Sequence, residues 1–209
     1  MSRRAVLITL AVGMPISGGL GWLASEWMLP TPRPAPGSRS SGLGAPMGSP
    51  FALTEHTGRQ VTDATYAGKV RLVFFGFTHC PDICPTGLGY MADAMDGLTP
   101  AEAARVQPLF ISVDAGRDTP ELLAGYVAAF HPRLVGLSGT EPEVAQAARA
   151  FGTLYAKVPT GGDSYVMDHS ASIYLIGADG RLQGFLDTHE PPATAIGKIR
   201  LALASAPDA

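Results

Sequence analysis

Charge is scarce in this 209-residue chain, and positive charge is the scarcer sign. Asp, Glu, Lys and Arg make up 16% of the residues. Residues 1–50 hold Arg3, Arg4, Arg33 and Arg39 against one acid, Glu26, so residues 51–209 keep 11 basic against 17 acidic residues. No basic stripe exists to match a phosphate backbone, and nucleic acid is not expected as a partner. Cysteine is scarcer still. Cys80 and Cys84 are the only two, so any sulfur chemistry must come from one short segment. Internal repeats are absent. The chain's 46% hydrophobic content is that of a globular protein, and its length suits one domain of ordinary size with extra segments.

One long uncharged apolar run does occur, from Ala5 to Ser25, directly after Arg3 and Arg4. At about 1.5 Å per helical residue it could cross a hydrocarbon layer about 30 Å thick. Trp22 and Trp27 lie where an interfacial aromatic belt would sit, and the arginines favour a cytoplasmic N-terminus. Residues 1–29 are therefore expected to be a transmembrane anchor or signal segment. Cleavage at Leu23-Ala24-Ser25 is the rival reading. Either way the rest of the chain is exported, and the uncleaved anchor predicts a bacterial inner-membrane protein whose soluble domain faces the periplasm. Residues 30–50 are rich in Pro, Gly and Ser without apolar periodicity, the composition of a solvated linker. Outside the cytoplasm, a cysteine pair becomes a disulfide unless it is kept reduced or metal-bound.

Regular patterning begins at Phe51, so residues 51–209 are expected to form the folded domain. Residues 51–54 and 60–62 flank Thr57-Gly58, a hairpin signal. Residues 70–77 and 106–113 are nearly continuous apolar runs, as in central strands covered on both faces. Leu88, Met91, Met95 and Leu98 share a helical face, which places both methionines in the core. Thr119-Pro120 is an N-cap followed by Pro at the first helical position, opening a helix that runs to Phe130. A short strand over 134–137 and a helix over 141–151, ended by Gly152, follow. Residues 172–176 and 181–186 flank Gly177-Ala178-Asp179-Gly180, a second hairpin, and a helix over about 192–204 closes the chain. Strand–helix alternation followed by a hairpin and a helix predicts a thioredoxin-like α/β fold, a mixed sheet with helices on both faces.

The two cysteines stand in Cys80-Pro81-Asp82-Ile83-Cys84-Pro85, at the C-terminal end of the predicted strand 70–77. Ligand sites in open α/β sheets lie at such strand ends. Pro85 is tolerated only in a first helical turn, so a helix starts near Cys84 and its dipole should favour a thiolate there. The pair could hold a soft metal, cycle between dithiol and disulfide, or staple a loop. The last is the weakest reading, because so small a ring stabilises by only about 2 kcal/mol. His169, in Asp168-His169-Ser170, precedes the predicted strand 172–176, whose start should face the cysteine loop. Two thiolates and an imidazole suit Cu(I) and can also hold Cu(II), whereas structural zinc usually takes a fourth ligand. Asp82 and Asp168 are nearby carboxylates expected to stay outside the ligand set. His79 adjoins Cys80, but neighbouring side chains on an extended segment diverge. Met167 is a weaker candidate, and His56, His131 and His189 are expected at the surface.

Phe75-Gly76-Phe77-Thr78-His79-Cys80-Pro81-Asp82-Ile83-Cys84-Pro85, together with Val166-Met167-Asp168-His169-Ser170, resembles the Sco/SenC family. The resemblance extends over residues 51–204, and the anchor and linker match it too. It implies a membrane-anchored, thioredoxin-like copper protein that assists cytochrome c oxidase assembly, with Cys80, Cys84 and His169 as copper ligands. It also implies that the two cysteines can be oxidised to a disulfide. Compared with ordinary thioredoxins the cysteine spacing is one residue longer, and no proline stands at or beside His169. The expected function is copper delivery to the binuclear copper centre of oxidase subunit II, by a protein expected to be monomeric and not an enzyme. Two readings stay open beside it: a thiol–disulfide reductase acting on the same target through the redox pair Cys80 and Cys84, and a peroxidase or redox sensor.

Overall fold

The run Val70–Gly76 forms a strand, β3, with every residue buried. Its neighbour β4 (Val106–Ser112) is likewise buried throughout and pairs with it in parallel, from Val70 opposite Val106 to Gly76 opposite Ser112. Continuous apolar sequence is what a strand covered on both faces requires. The structure, a computed structural model, describes residues 46–162 and 164–205, all within one unit spanning Arg39–Ala209. The apolar run over residues 5–25 lies outside the described residues. Among those described, no helix is long and apolar enough to cross a membrane.

Around the central pair, β1 (Ala52–Glu55), β2 (Gln60–Thr62), β5 (Val135–Ser138), β8 (Ile173–Ile176) and β9 (Leu182–Leu186) complete a seven-stranded mixed sheet in the order β2-β1-β5-β4-β3-β8-β9. Phe74 and Phe75 alternate across β3, as pleating dictates. Phe74 meets Phe110 of β4 and the backbone of Gly87 in the helix α1 (Ile83–Asp96). Phe75 packs edge-on, at 5.3 Å between ring centroids, against Phe151 of the helix α4 (Glu141–Phe151). Helices therefore cover both faces, as predicted.

Local signals set the helix ends. The short helix α2 (Pro100–Ala104) and α4 begin with capping boxes, Thr99 with Glu102 and Thr140 with Glu143. In the helix α3 (Pro120–Ala128), Thr119 Oγ1 accepts from the Leu122 amide at 3.3 Å. Gly152 ends α4 in the left-handed region, at φ 64°. The helix α5 (Pro192–Ala204) completes the fold.

Besides the short helix α2, which the sequence reading did not include, two features depart from it. Residues 46–50, read as the end of a solvated linker, are docked on the domain. Met47 is buried, its amide donates to the Gly180 carbonyl at 3.1 Å, and the Gly48 amide donates to that of Ala150 at 2.9 Å. A single apolar side chain with two backbone hydrogen bonds achieves this without any periodicity. Secondly, an antiparallel hairpin of β6 (Tyr155–Gly161) and β7 (Ser164–His169) forms a separate two-stranded sheet. His169 is the last residue of that hairpin rather than a loop residue before β8.

Candidate metal centre

Cys80 lies on the loop leaving β3, and Cys84 is the second residue of α1. The loop is anchored by Asp118, a buried carboxylate on the β4–α3 connection. Asp118 accepts from the Thr78 amide at 2.9 Å, the Thr78 hydroxyl at 2.6 Å and the Ser112 hydroxyl at 2.6 Å. No local pattern marks Asp118, since the Thr78 groups it holds are 40 residues away in sequence. The Cys80 amide donates to the Phe77 carbonyl at 3.2 Å, closing the turn. Cys84 Sγ rests against Gly76, where an added Cβ would come within 2.6 Å of the sulfur. Glycine is required there because any side chain would occupy the space taken by Cys84.

His169 arrives from the hairpin. Along β7, Tyr165, Met167 and His169 face inward and Ser164, Val166 and Asp168 outward, the period-two alternation of a strand. The imidazole stands edge-on to Phe74 and Phe77, at centroid distances of 6.1 and 5.8 Å. Its Nδ1 lies 3.1 Å from the Ser170 carbonyl. A carbonyl only accepts, so this contact assigns the proton to Nδ1 and leaves Nε2 as the acceptor. That Nε2 lies 3.4 Å from Cys84 Sγ.

The ligand atoms of Cys80, Cys84 and His169 all lie within 4.8 Å of one another, the one such metal-compatible group among the described residues. First-row ions hold sulfur at about 2.3 Å and imidazole nitrogen at about 2.0 Å, so two ligands of one ion are at most about 4.6 Å apart. Small side-chain adjustments would bring all three onto one ion. Both cysteines are free thiols. A cavity of about 270 Å³, lined by Phe77, Cys80, Pro81, Ile83, Met167 and His169 among others, opens beside the group.

The electrostatics correct one expectation. Cys84 sits where the helix dipole favours a thiolate, yet its pKa is raised far above the usual thiol range, chiefly by burial. Desolvation disfavours the anion more than the helix start and a hydrogen bond from the Phe77 backbone favour it. Burial also lowers the pKa of His169, which keeps the imidazole neutral. Without a metal the site therefore holds a protonated Cys84 thiol and an uncharged imidazole.

The other candidates fall outside the group. His79 is half exposed, with its Nδ1 3.0 Å from the Thr78 hydroxyl. His56 and His131 accept backbone amides of Gly136 and Arg133, both at 3.1 Å, and His189 pairs with Asp187 at the surface. Met91 and Met95 are buried core residues, as expected. Met167 is buried on the inward face of β7 beside His169. Asp82 precedes the first turn of α1 and accepts from the Thr86 hydroxyl at 3.4 Å. Asp168 occupies the outward face of β7.

Comparison with known proteins gives a consistent answer. The family described as SCO1/SenC matches residues 39–204. The human mitochondrial SCO1 homolog is 42% identical over 192 residues, covering 90% of this chain and 61% of that protein. This chain thus spans somewhat under two thirds of that relative's length. The solved structure of Bradyrhizobium japonicum ScoI with copper bound is similar at a TM-score of 0.70 and 40% identity, covering 75% of this chain and 99% of that one. A structure of BsSco, described as a member of the Sco family of cytochrome c oxidase assembly proteins with a disulfide switch, matches at a TM-score of 0.60 and 28% identity, covering 75% and 92%.

Proposed function

This chain belongs to the SCO1/SenC family, and we propose that it binds copper through Cys80, Cys84 and His169 and serves cytochrome c oxidase assembly. The observation that carries this reading is the convergence of two thiols and one imidazole, its Nε2 facing Cys84 Sγ, within 4.8 Å. Soft thiolates select Cu(I), and an added imidazole lets the same set hold Cu(II). The chain's own residues supply the rest of the chemistry. Burial keeps competing water from the sulfurs, the Ser170 carbonyl fixes the imidazole tautomer, and the Asp118 anchor holds the Cys80 loop in place. Copper is the cargo, and the recipient is the binuclear copper centre of oxidase subunit II or a similar copper-accepting protein. Residues 1–29 act as the anchor, 30–50 as the tether, with its last five residues docked on the domain, and 51–209 as the copper domain, held at a bacterial inner membrane and facing the periplasm.

Metal analysis of the reduced domain should give one Cu(I) per chain. Cys80→Ala, Cys84→Ala and His169→Ala should each lose most of it. Retention near the wild-type level in all three would remove the assignment.

A second reading rests on the two free thiols, with the Cys84 amide only 3.4 Å from Cys80 Sγ. Such a pair can reduce a disulfide in the target. The two thiols give up two electrons and two protons and become the Cys80–Cys84 disulfide, while the target disulfide becomes two thiols.

A further inference from the structure

His169 is delivered by a two-stranded hairpin that is not hydrogen-bonded into the main sheet. An isolated hairpin is marginally stable in water, and most of β6 is exposed. The register of β7 is nonetheless critical. A one-residue slip would flip every side chain and present Asp168 to the cysteines in place of His169. Something must therefore hold β7 to the domain upstream of the histidine.

The holding contacts converge on Tyr165, four residues before His169 on the same inward face. Its hydroxyl donates to Asp114 Oδ1 at 2.8 Å. The other oxygen of Asp114 accepts from Arg117 Nε at 2.5 Å, and Arg117 Nη1 donates to the Tyr165 carbonyl at 3.2 Å. The Arg117 guanidinium lies 3.8 Å from the centroid of the Tyr165 ring, and the Lys157 ammonium also lies 3.8 Å from it. Asp114 itself is buried, and its amide donates to the Ser112 hydroxyl at 3.0 Å. That hydroxyl in turn donates to Asp118, the anchor of the cysteine loop. One polar chain thus links the hairpin carrying His169 to the loop carrying Cys80.

We infer that Tyr165, held by Asp114 and Arg117, is a positioning residue that sets the register of β7 and so places His169 over the two cysteines. It touches no copper and acts only through His169. The inference rests on the copper reading above, and its test separates the two.

Cu(I) affinity is measured by competition with a chromogenic chelator for the reduced domain, for Tyr165→Ala and Tyr165→Phe, and for the same substitutions in a His169→Ala background. Loss of a group that orients a ligand typically weakens metal binding about 10- to 100-fold. Tyr165→Ala should therefore cost about tenfold, and Tyr165→Phe, which keeps the ring and its cation contacts, less. In the His169→Ala background both should cost nothing further, since the residue they act through is gone. In the copper-free protein, amide hydrogen exchange over residues 164–169 should accelerate in Tyr165→Ala while the amides of β3 and α1 keep their protection. Equal losses in both backgrounds would assign Tyr165 to general stability and overturn the inference, as would unchanged affinity in the His169-containing protein. If His169→Ala alone leaves affinity untouched, the copper assignment falls first and this inference with it. Should Tyr165→Ala not fold, Tyr165→Phe and Asp114→Asn carry the same comparison.

Discussion

Cys84 combines two opposing influences on one sulfur. The start of α1 favours the anion, but complete burial beside Gly76 and Phe110 favours the proton, and burial prevails. Metal ligation needs the thiolate, so a copper ion must displace that proton on binding. Cu(I) affinity should consequently fall about tenfold for each unit of acidification on account of Cys84 alone, across the range from pH 8 to 6.5. His169 adds little there, because burial places its protonation below the ordinary imidazole range. Chelator competition at several pH values checks this, and a flat profile would show that no thiol proton is released. The same shift has a stability sign. An unfolded thiol ionises near pH 8.5, whereas folded Cys84 keeps its proton well above that. The unfolded chain then binds fewer protons, so the contribution is fully present below about pH 8.5 and is lost as the pH rises beyond it. Denaturant midpoints of the reduced, copper-free domain should decline more steeply between pH 8 and 9.5 than those of Cys84→Ala. Parallel declines would contradict the buried-thiol account.

At the scale of elements, the site depends on how β3 ends. Gly76 is the last residue of the strand, and an added Cβ would lie 2.6 Å from Cys84 Sγ and 2.7 Å from the Phe110 ring. Neither neighbour is at a free end, since Cys84 is fixed in α1 and Phe110 lies in β4. Gly76→Ala should therefore destabilise the domain by about 1–3 kcal/mol, the usual cost of overpacking, and should weaken copper binding by displacing Cys84. Thermal denaturation with a parallel copper titration tests both effects. Unchanged stability would mean that α1 can move away from the sheet. The end of β3 was legible to within one residue, because the apolar run over residues 70–77 stops shortly before the cysteine motif. The helices α3 and α4 were legible through the Thr119-Pro120 cap and the Gly152 stop, whereas the five-residue α2 was not. The β6–β7 hairpin was not. Its first strand contains Pro159 and Gly161, residues depleted in strands, and its side chains are mostly exposed, so no apolar alternation marks it. Only Tyr165, Met167 and His169 alternate toward the interior, and the turn signal was Gly161-Gly162, both at positive φ.

For the molecule as a whole, the sequence identified which three residues meet but not what holds them together. Cys80 and Cys84 are four apart and are joined by local geometry. His169 is 85 residues beyond Cys84 and reaches it only through a hairpin clamped by Asp114 and Arg117. Contacts of that separation leave no trace in a local pattern. The family motif supplied His169, while periodicity supplied neither Tyr165 nor Asp118. The assembled site then poses the choice between delivering copper and reducing a target. Both roles use the two sulfurs, and a Cys80–Cys84 disulfide has no thiolate to offer, so oxidation should abolish Cu(I) binding and reduction should restore it. The imidazole belongs to one role only. Exchange with a disulfide depends on thiolate fraction, nucleophilicity and access, and needs no metal ligand. His169→Ala should therefore abolish copper transfer to an isolated subunit II domain while leaving the dithiol able to reduce that domain's disulfide. In cells at limiting copper the same variant should assemble little active oxidase. If His169→Ala cells assemble oxidase at the wild-type level while Cys80→Ala cells do not, thiol reduction is the work of this site and copper delivery is not.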